Sequence, residues 1–305
     1  MSVLSFRRKA ESPAAPAADV SPAVEGLSYL GHFGLARPPF GLTPDSDFFF
    51  AAAPHREALN TLRYAVTSGE GFIQVTGPVG TGKTLLCRTL LASLPTRTQA
   101  VYLPNPALDA AGVRLAVAAE LGLQMDEAAS AYRVQQAIES RLIALAREDI
   151  QVVVVVDEAQ AMPLDALETL RLLSNLETAR RKLLTIVLFG QPELDARLDA
   201  LPQLKTRIGF HDRLRPLTRS ELTAYLAHRL ARAGYVFGGR FVFEARAIRA
   251  LHRRSGGVPR LVNVIAHKAL LLAWGRGLAA ARAREVHDAA RDTLAARPAR
   301  RFWWG

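Results

Sequence analysis

Between residues 72 and 93 the chain passes from a short apolar run, Phe72 to Thr76, through eight residues rich in glycine and then into a helical pattern from Thr84 to Ser93. The eight residues, Gly77-Pro78-Val79-Gly80-Thr81-Gly82-Lys83-Thr84, fit the pattern G-x-x-x-x-G-K-[ST] at every fixed position. Glycines let such a loop curl until successive backbone N–H groups converge on one anion, and the helix that follows turns its positive end to the same point. A buried strand, a curled loop and a helix in that order commit this part of the chain to a sheet covered by helices. They also predict a P-loop over Gly77, Pro78, Val79, Gly80, Thr81, Gly82, Lys83, Thr84 and Leu85, with Lys83 bridging the β- and γ-phosphates of ATP. Thr84 is expected to offer its hydroxyl to Mg2+.

A second run, Val152 to Val156, is apolar throughout and ends in Asp157 and Glu158. Continuous apolarity is what a strand covered on both faces needs, and ligands of open α/β sheets bind at the carboxyl ends of the strands. Asp157 is therefore expected to hold Mg2+ and Glu158 to polarise an attacking water. A third run, Thr185 to Phe189, ends in Gly190-Gln191-Pro192. The Gln191 amide is a candidate to sense the γ-phosphate or hold the water, the alternative being a side chain that caps its own turn.

From Tyr29 to about Arg215 short β-branched runs alternate with longer helical patterns, which predicts βαβ units and a parallel sheet. The expected strands are Phe72 to Thr76, Ala100 to Leu103, Gln151 to Val156 and Thr185 to Phe189, with helices over Thr84 to Ser93, Ala131 to Ala146 and Leu164 to Thr178. After Pro216 the pattern becomes helical alone, so a small helical unit is expected at 216–296, its first helix starting at Ser220 before Glu221 and stopping at Gly234. Residues 1–27, rich in Ala, Pro and Ser, read as a disordered tail, and 297–305 as a C-terminal tail. The nucleotide-binding unit is then 28–215.

The chain has 305 residues, of which 50% are hydrophobic and 22% charged, an ordinary globular mixture able to bury real cores. A single Cys87 excludes an internal disulfide and agrees with a reducing, cytoplasmic setting. No apolar run approaches the roughly 18 residues of a membrane span, and the N-terminus lacks the apolar core of a signal peptide. The net charge of +11 sits in the last third: residues 201–305 hold 21 Lys and Arg against 6 Asp and Glu. Such a third marks a nucleic-acid or acidic-membrane surface, or simply a solvated face of Arg on Ala-rich helices. Trp303 and Trp304 beside Arg300 and Arg301 suit a partner groove, a membrane interface or a tail folded back on the helical unit.

The segments GPVGTGKT, VVVVVDEAQ, LFGQPEL, LKTRIGFHDRLRPL and SGGVPRLVN, with the lead-in HFGLARPPFGLTPDSDFFFAAAPHREAL, together resemble the AAA+ ATPases of the ExeA, GspA and MshM group, which serve type II secretion and MSHA-type pilus assembly. The resemblance runs from about Tyr29 to Ala280. It implies an αβα P-loop NTPase sandwich with a parallel sheet, followed by a small all-helical lid, and an ATP hydrolase that uses Mg2+. By the same resemblance Gln191 holds the sensor-1 position, Arg207 that of the finger reaching a neighbouring subunit's nucleotide, and Arg260 that of sensor 2 on the lid. A finger in trans implies a homo-oligomer, a ring such as a hexamer, with pilus or secretion proteins as partners and contact with the inner membrane only through them. His55 and Arg56 lie where related proteins run beside the adenine, although a surface His is the default reading. The longer members continue into a membrane helix and a peptidoglycan-binding domain that this sequence does not contain. A competing expectation, raised by the basic last third, is an ATP-dependent DNA-binding regulator similar to the transposition proteins TniB and MuB.

Overall fold

A computed structural model describes residues 29–43, 45–104, 107–126, 128–177, 182–238 and 241–297. The two tails expected at 1–27 and beyond residue 297 lie outside them. After a short helix α1 (Tyr29–His32) and a 3-10 turn at Ser46–Phe48, the chain runs α2 (Ala53–Ser68), β1 (Phe72–Thr76), α3 (Lys83–Ala92), β2 (Thr98–Leu103), α4 (Ala110–Glu120), α5 (Ala131–Arg147) and β3 (Gln151–Val156). It continues through α6 (Leu164–Leu173), β4 (Leu184–Gly190), α7 (Glu193–Asp199), α8 (Pro202–Lys205) and β5 (Ile208–Arg213). Four helices follow: α9 (Arg219–Arg232), α10 (Ala245–Ser255), α11 (Pro259–Gly275) and α12 (Ala283–Arg291).

The five strands pair in parallel in the order β2-β3-β4-β1-β5. Side chains alternate across each strand, so one apolar run feeds two cores. Phe72, Val152, Val154, Val156, Ile186 and Leu188 pack with α4, α5 and α6. Ile73, Val75, Val153, Val155, Val187 and Phe189 pack with α2 and α3 on the other face. Full burial of each such side chain contributes about 1.5–3 kcal/mol. This is the expected αβα sandwich, and the helical part follows it in the chain. The strand β5 was not expected, because IGFHDR alternates half-buried and exposed positions at the sheet edge and carries Gly, His, Asp and Arg. Helix α6 stops at Leu173, short of the expected Thr178.

The third core belongs to the last four helices, and Tyr29, Phe33, Leu35, Phe40, Phe48 and Ala52 of the lead-in are buried within it. Arg229, 7% exposed, locks this arrangement by donating to Pro39 O at 2.5 Å and Gly41 O at 3.3 Å while its guanidinium lies 4.4 Å from the Phe48 ring centre. Carbonyls and an aromatic face compensate a buried cation that has left water. The lead-in therefore packs on the helical unit, then enters α2 beneath the sheet. The start of α9 is Thr218, not Ser220: Thr218 and Glu221 form a reciprocal capping box, and Arg215 and Thr218 hold the Glu221 carboxyl down at about 2. Among the described residues no helix is long and apolar enough to cross a membrane.

Candidate functional site

The loop from Gly77 to Gly82 leaves β1 and enters α3, and three of its glycines are fixed by their surroundings. A Cβ on Gly77 would lie 2.8 Å from Leu214 O, one on Gly80 2.8 Å from Arg260 Cβ, and one on Gly82 3.1 Å from His55 Nε2. Gly80 and Gly82 also have φ of +80° and +99°, where a side chain is strained. No side chain caps the start of α3 and no acid lies in its first turn, so its leading N–H groups are left for an external anion.

Lys83 is 4% exposed and donates to Gly77 O at 2.8 Å and Pro78 O at 3.2 Å, folding over the loop it belongs to. Burial lowers its pKa, opposed by Glu158, Asp157 and Glu193. Asp157 stands at the end of β3, 3% exposed, and burial raises its pKa against a hydrogen bond from the Thr84 side chain. A hydroxyl and a carboxylate in contact across the loop are a donor set for a hard cation such as Mg2+, which keeps most of its ligands from water and phosphate. The loop, the lysine and the acidic pair thus meet at one edge of the sheet, and the donor set fits a magnesium-bound polyphosphate.

Glu158 has φ +53°, an uncommon conformation for a residue with a side chain and one that clusters at functional sites. Two amides hold its carboxylate: Gln160 Nε2 donates to Oε2 at 2.6 Å and Gln191 Nε2 at 3.3 Å. Gln160 Oε1 in turn accepts from Gln191 N at 2.9 Å, tying the end of β3 to the end of β4. Gln160 was not among the residues expected from the sequence, where the available signal was a second amide three residues beyond Asp157.

Arg260 opens α11 on the helical unit, and its N–H donates to Gly80 O at 3.2 Å, so the helical unit rests on the loop. Arg207 lies elsewhere. It is exposed, bonds Ser174 Oγ at 3.3 Å, and precedes Ile208, which pairs with Phe72 at the opposite edge of the sheet. Within one chain it is about one strand length, roughly 17 Å, from the loop edge. His55 is not a surface residue. It is 5% exposed, and its Nε2 is 2.8 Å from Thr81 O. A carbonyl only accepts, so the proton is on Nε2, and Nδ1 is buried with no partner. Arg56 is exposed at the start of α2 and bonds Ala51 O, away from this group.

Residues 66–198 match the family described as AAA domain. General secretion pathway protein A of Aeromonas hydrophila is 42% identical to the chain over 251 residues, 82% of this chain and 45% of that protein. The chain thus spans about half the length of this curated relative. Among solved structures, Cdc6p of Pyrobaculum aerophilum has a TM-score of 0.64 at 19% identity, covering 82% of this chain and 71% of its own. Drosophila ORC bound to DNA gives 0.62 at 20%, covering 93% and 71%, and the RuvB branch migration motor of Thermotoga maritima 0.53 at 18%, covering 80% and 70%. These last three share the fold, while the sequence match is specific to one branch: the chain belongs to the AAA ATPases of the ExeA/GspA type.

Proposed function

We infer that the chain hydrolyses ATP and uses the cycle to drive conformational work in assembling a secretion or pilus machine. The observation that carries the reading is the meeting of Lys83, Thr84, Asp157 and Glu158 at the edge where α3 presents its uncapped N-terminus. In this reading the backbone N–H groups from Gly77 to Leu85 cradle the phosphates, and Lys83 leaves Gly77 O and Pro78 O to pair with them. Thr84 and Asp157 hold Mg2+, which when bound neutralises charge on the transferring phosphoryl group. Glu158 accepts the proton of the attacking water, Gln191 and Gln160 fix its orientation, and Gln191 reports the state of the γ-phosphate. Arg260 brings the lid to the same phosphate, and Arg207 completes the site of a neighbouring subunit in a ring. The secretion partner follows from the name of the A. hydrophila relative, and no comparable sequence match favours the transposition reading.

Two variants test this. Lys83→Ala is expected to abolish binding of a fluorescent ATP analogue, whereas Glu158→Gln keeps that binding and lowers phosphate release at least 10²-fold, the scale of a lost general base. Wild-type turnover no faster than that of Glu158→Gln would refute hydrolysis. Partners captured on the ATP-locked Glu158→Gln protein should be secretion or pilus components; transposition proteins with duplex DNA would overturn the assignment of partners.

A further inference from the structure

Residues 245–297 hold eleven Lys and Arg but three acids, Glu285, Asp288 and Asp292. All three are taken. Glu285 pairs with Arg276, Asp288 is shared by Arg276 at 2.9 Å, Arg291 at 3.7 Å and Arg284 at 3.9 Å, and Asp292 pairs with Lys268 at 2.5 Å. None of them pairs with Arg246, Arg249, Arg253, Arg254 or Arg297, which have no carboxylate within ion-pair distance among the described residues. The first three share a face of α10 by their three- and four-residue spacing.

Arg254 is the telling member. It is 7% exposed, and its Nε and Nη1 are buried with no hydrogen-bond partner. Arg297 joins it through a 2.8 Å bond from its N–H to Arg254 O, and the Arg297 guanidinium lies over Gly256, where a Cβ would come within 2.5 Å of Cζ. From α12, His287 faces the same group: burial, then Arg254, Arg253 and Arg291, lower its pKa, with Asp288 the one opposing charge. Burial first and then these cations make the histidine harder to protonate than a free one. A buried guanidinium with orphaned donors among further cations is unfavourable unless an anion completes it. Beside this cluster Leu294 is fully exposed between Arg291 and Arg297. The sequence then continues to Arg300-Arg301-Phe302-Trp303-Trp304, cations next to the aromatic types enriched at membrane interfaces. Phosphate alone would ask only for the cations; the exposed Leu294 among them selects a surface that has phosphates outside and hydrocarbon beneath.

We propose that the end of the helical unit formed by α10, α12 and residues 292–297 docks on an anionic phospholipid bilayer. Arg253, Arg254, Arg291 and Arg297 take headgroup phosphates, and Leu294 enters the acyl boundary. This contact is direct, unlike attachment through a partner, and it does not depend on the hydrolysis reading.

The test is flotation of the full chain with vesicles of phosphatidylcholine alone or with about a third phosphatidylglycerol, at low and high salt. Binding is expected only with phosphatidylglycerol and should fall as salt rises. Reversing two exposed charges, Arg253→Glu with Arg297→Glu, should lower partitioning by tenfold or more, since each basic residue near such a surface changes it by roughly fivefold. Leu294→Gln should weaken partitioning while leaving its salt dependence in place. Arg254→Gln removes the buried cation, and melting curves on every variant separate lost binding from lost fold. Equal binding to neutral vesicles, or full binding by the double variant, overturns the proposal. So does an increase in melting temperature with inorganic phosphate without any vesicle binding, or retention of duplex DNA in place of vesicles.

Discussion

His55 shows how one side chain can set a pH limit on the phosphate loop. Its pKa is lowered from 6.5 chiefly by burial, and the folded state therefore binds a proton less readily than the unfolded chain. For a group depressed in this way, its contribution to stability is present above pH 6.5 and is lost as pH falls below that value toward the folded pKa. Protonation would place a second N–H on Nδ1, which has no acceptor. We predict that His55→Gln, which keeps a donor for Thr81 O, loses less stability than the wild type between pH 7.5 and 5.5, by up to roughly 1 kcal/mol per pH unit in that window. His228, His267 and His287 are shifted the same way, so the measurement is the difference between the two proteins' melting curves, and identical acid slopes would refute the role of His55. At this scale the charged chemistry was legible in the chain's spacing and its supports were not. Lys83, Thr84, Asp157 and Glu158 announce themselves by spacing, whereas His55 and Gln160 act through a backbone carbonyl and another side chain, contacts that exist only after folding.

Among the elements, legibility followed burial. The strands β1 and β3 are covered on both faces and read as unbroken apolar runs, while β5 at the edge and α4, rich in alanine, carry no such pattern. The capping box of α9 was legible in principle, since Thr218 stands three residues before Glu221, and Ser220 drew attention only because it adjoins the acid. The junction between α11 and the loop joins residues 180 apart in the chain, so no local pattern shows it, and only the family resemblance, which put Arg260 at sensor 2 on the lid, pointed to it. That junction makes a sharp prediction. Gly80→Ala puts a Cβ 2.8 Å from Arg260 Cβ at φ +80°, which costs about 1–3 kcal/mol and must be relieved by moving the lid or the loop. Nucleotide affinity, followed by titration of a fluorescent analogue, should fall about tenfold or more; unchanged affinity would mean that the lid does not rest on a binding-competent loop.

On the scale of the whole molecule, Arg207 stands apart from its own chain's loop, exposed at the opposite end of the strands and bonded to Ser174 Oγ. If it completes a neighbour's site, Arg207→Ala and Glu158→Gln should each be inactive alone yet recover activity when mixed, since a Glu158-bearing subunit can then sit beside an Arg207-bearing one. Random mixing in a closed ring would restore about a quarter of the sites, and a mixture as inactive as its components would rule out a finger in trans. The helical unit has a further property. Tyr29, Phe33, Leu35, Phe40, Phe48 and Ala52 lie in its core, the chain then leaves to build the sheet, and it returns after Leu214. Backbone therefore crosses between the two units twice, at Ala52–Ala53 and again between Leu214 and Leu217. A body pinned at one point can tumble about it, but one pinned at two turns most freely on the line that joins them, which would make the helical unit a door on a pair of hinges.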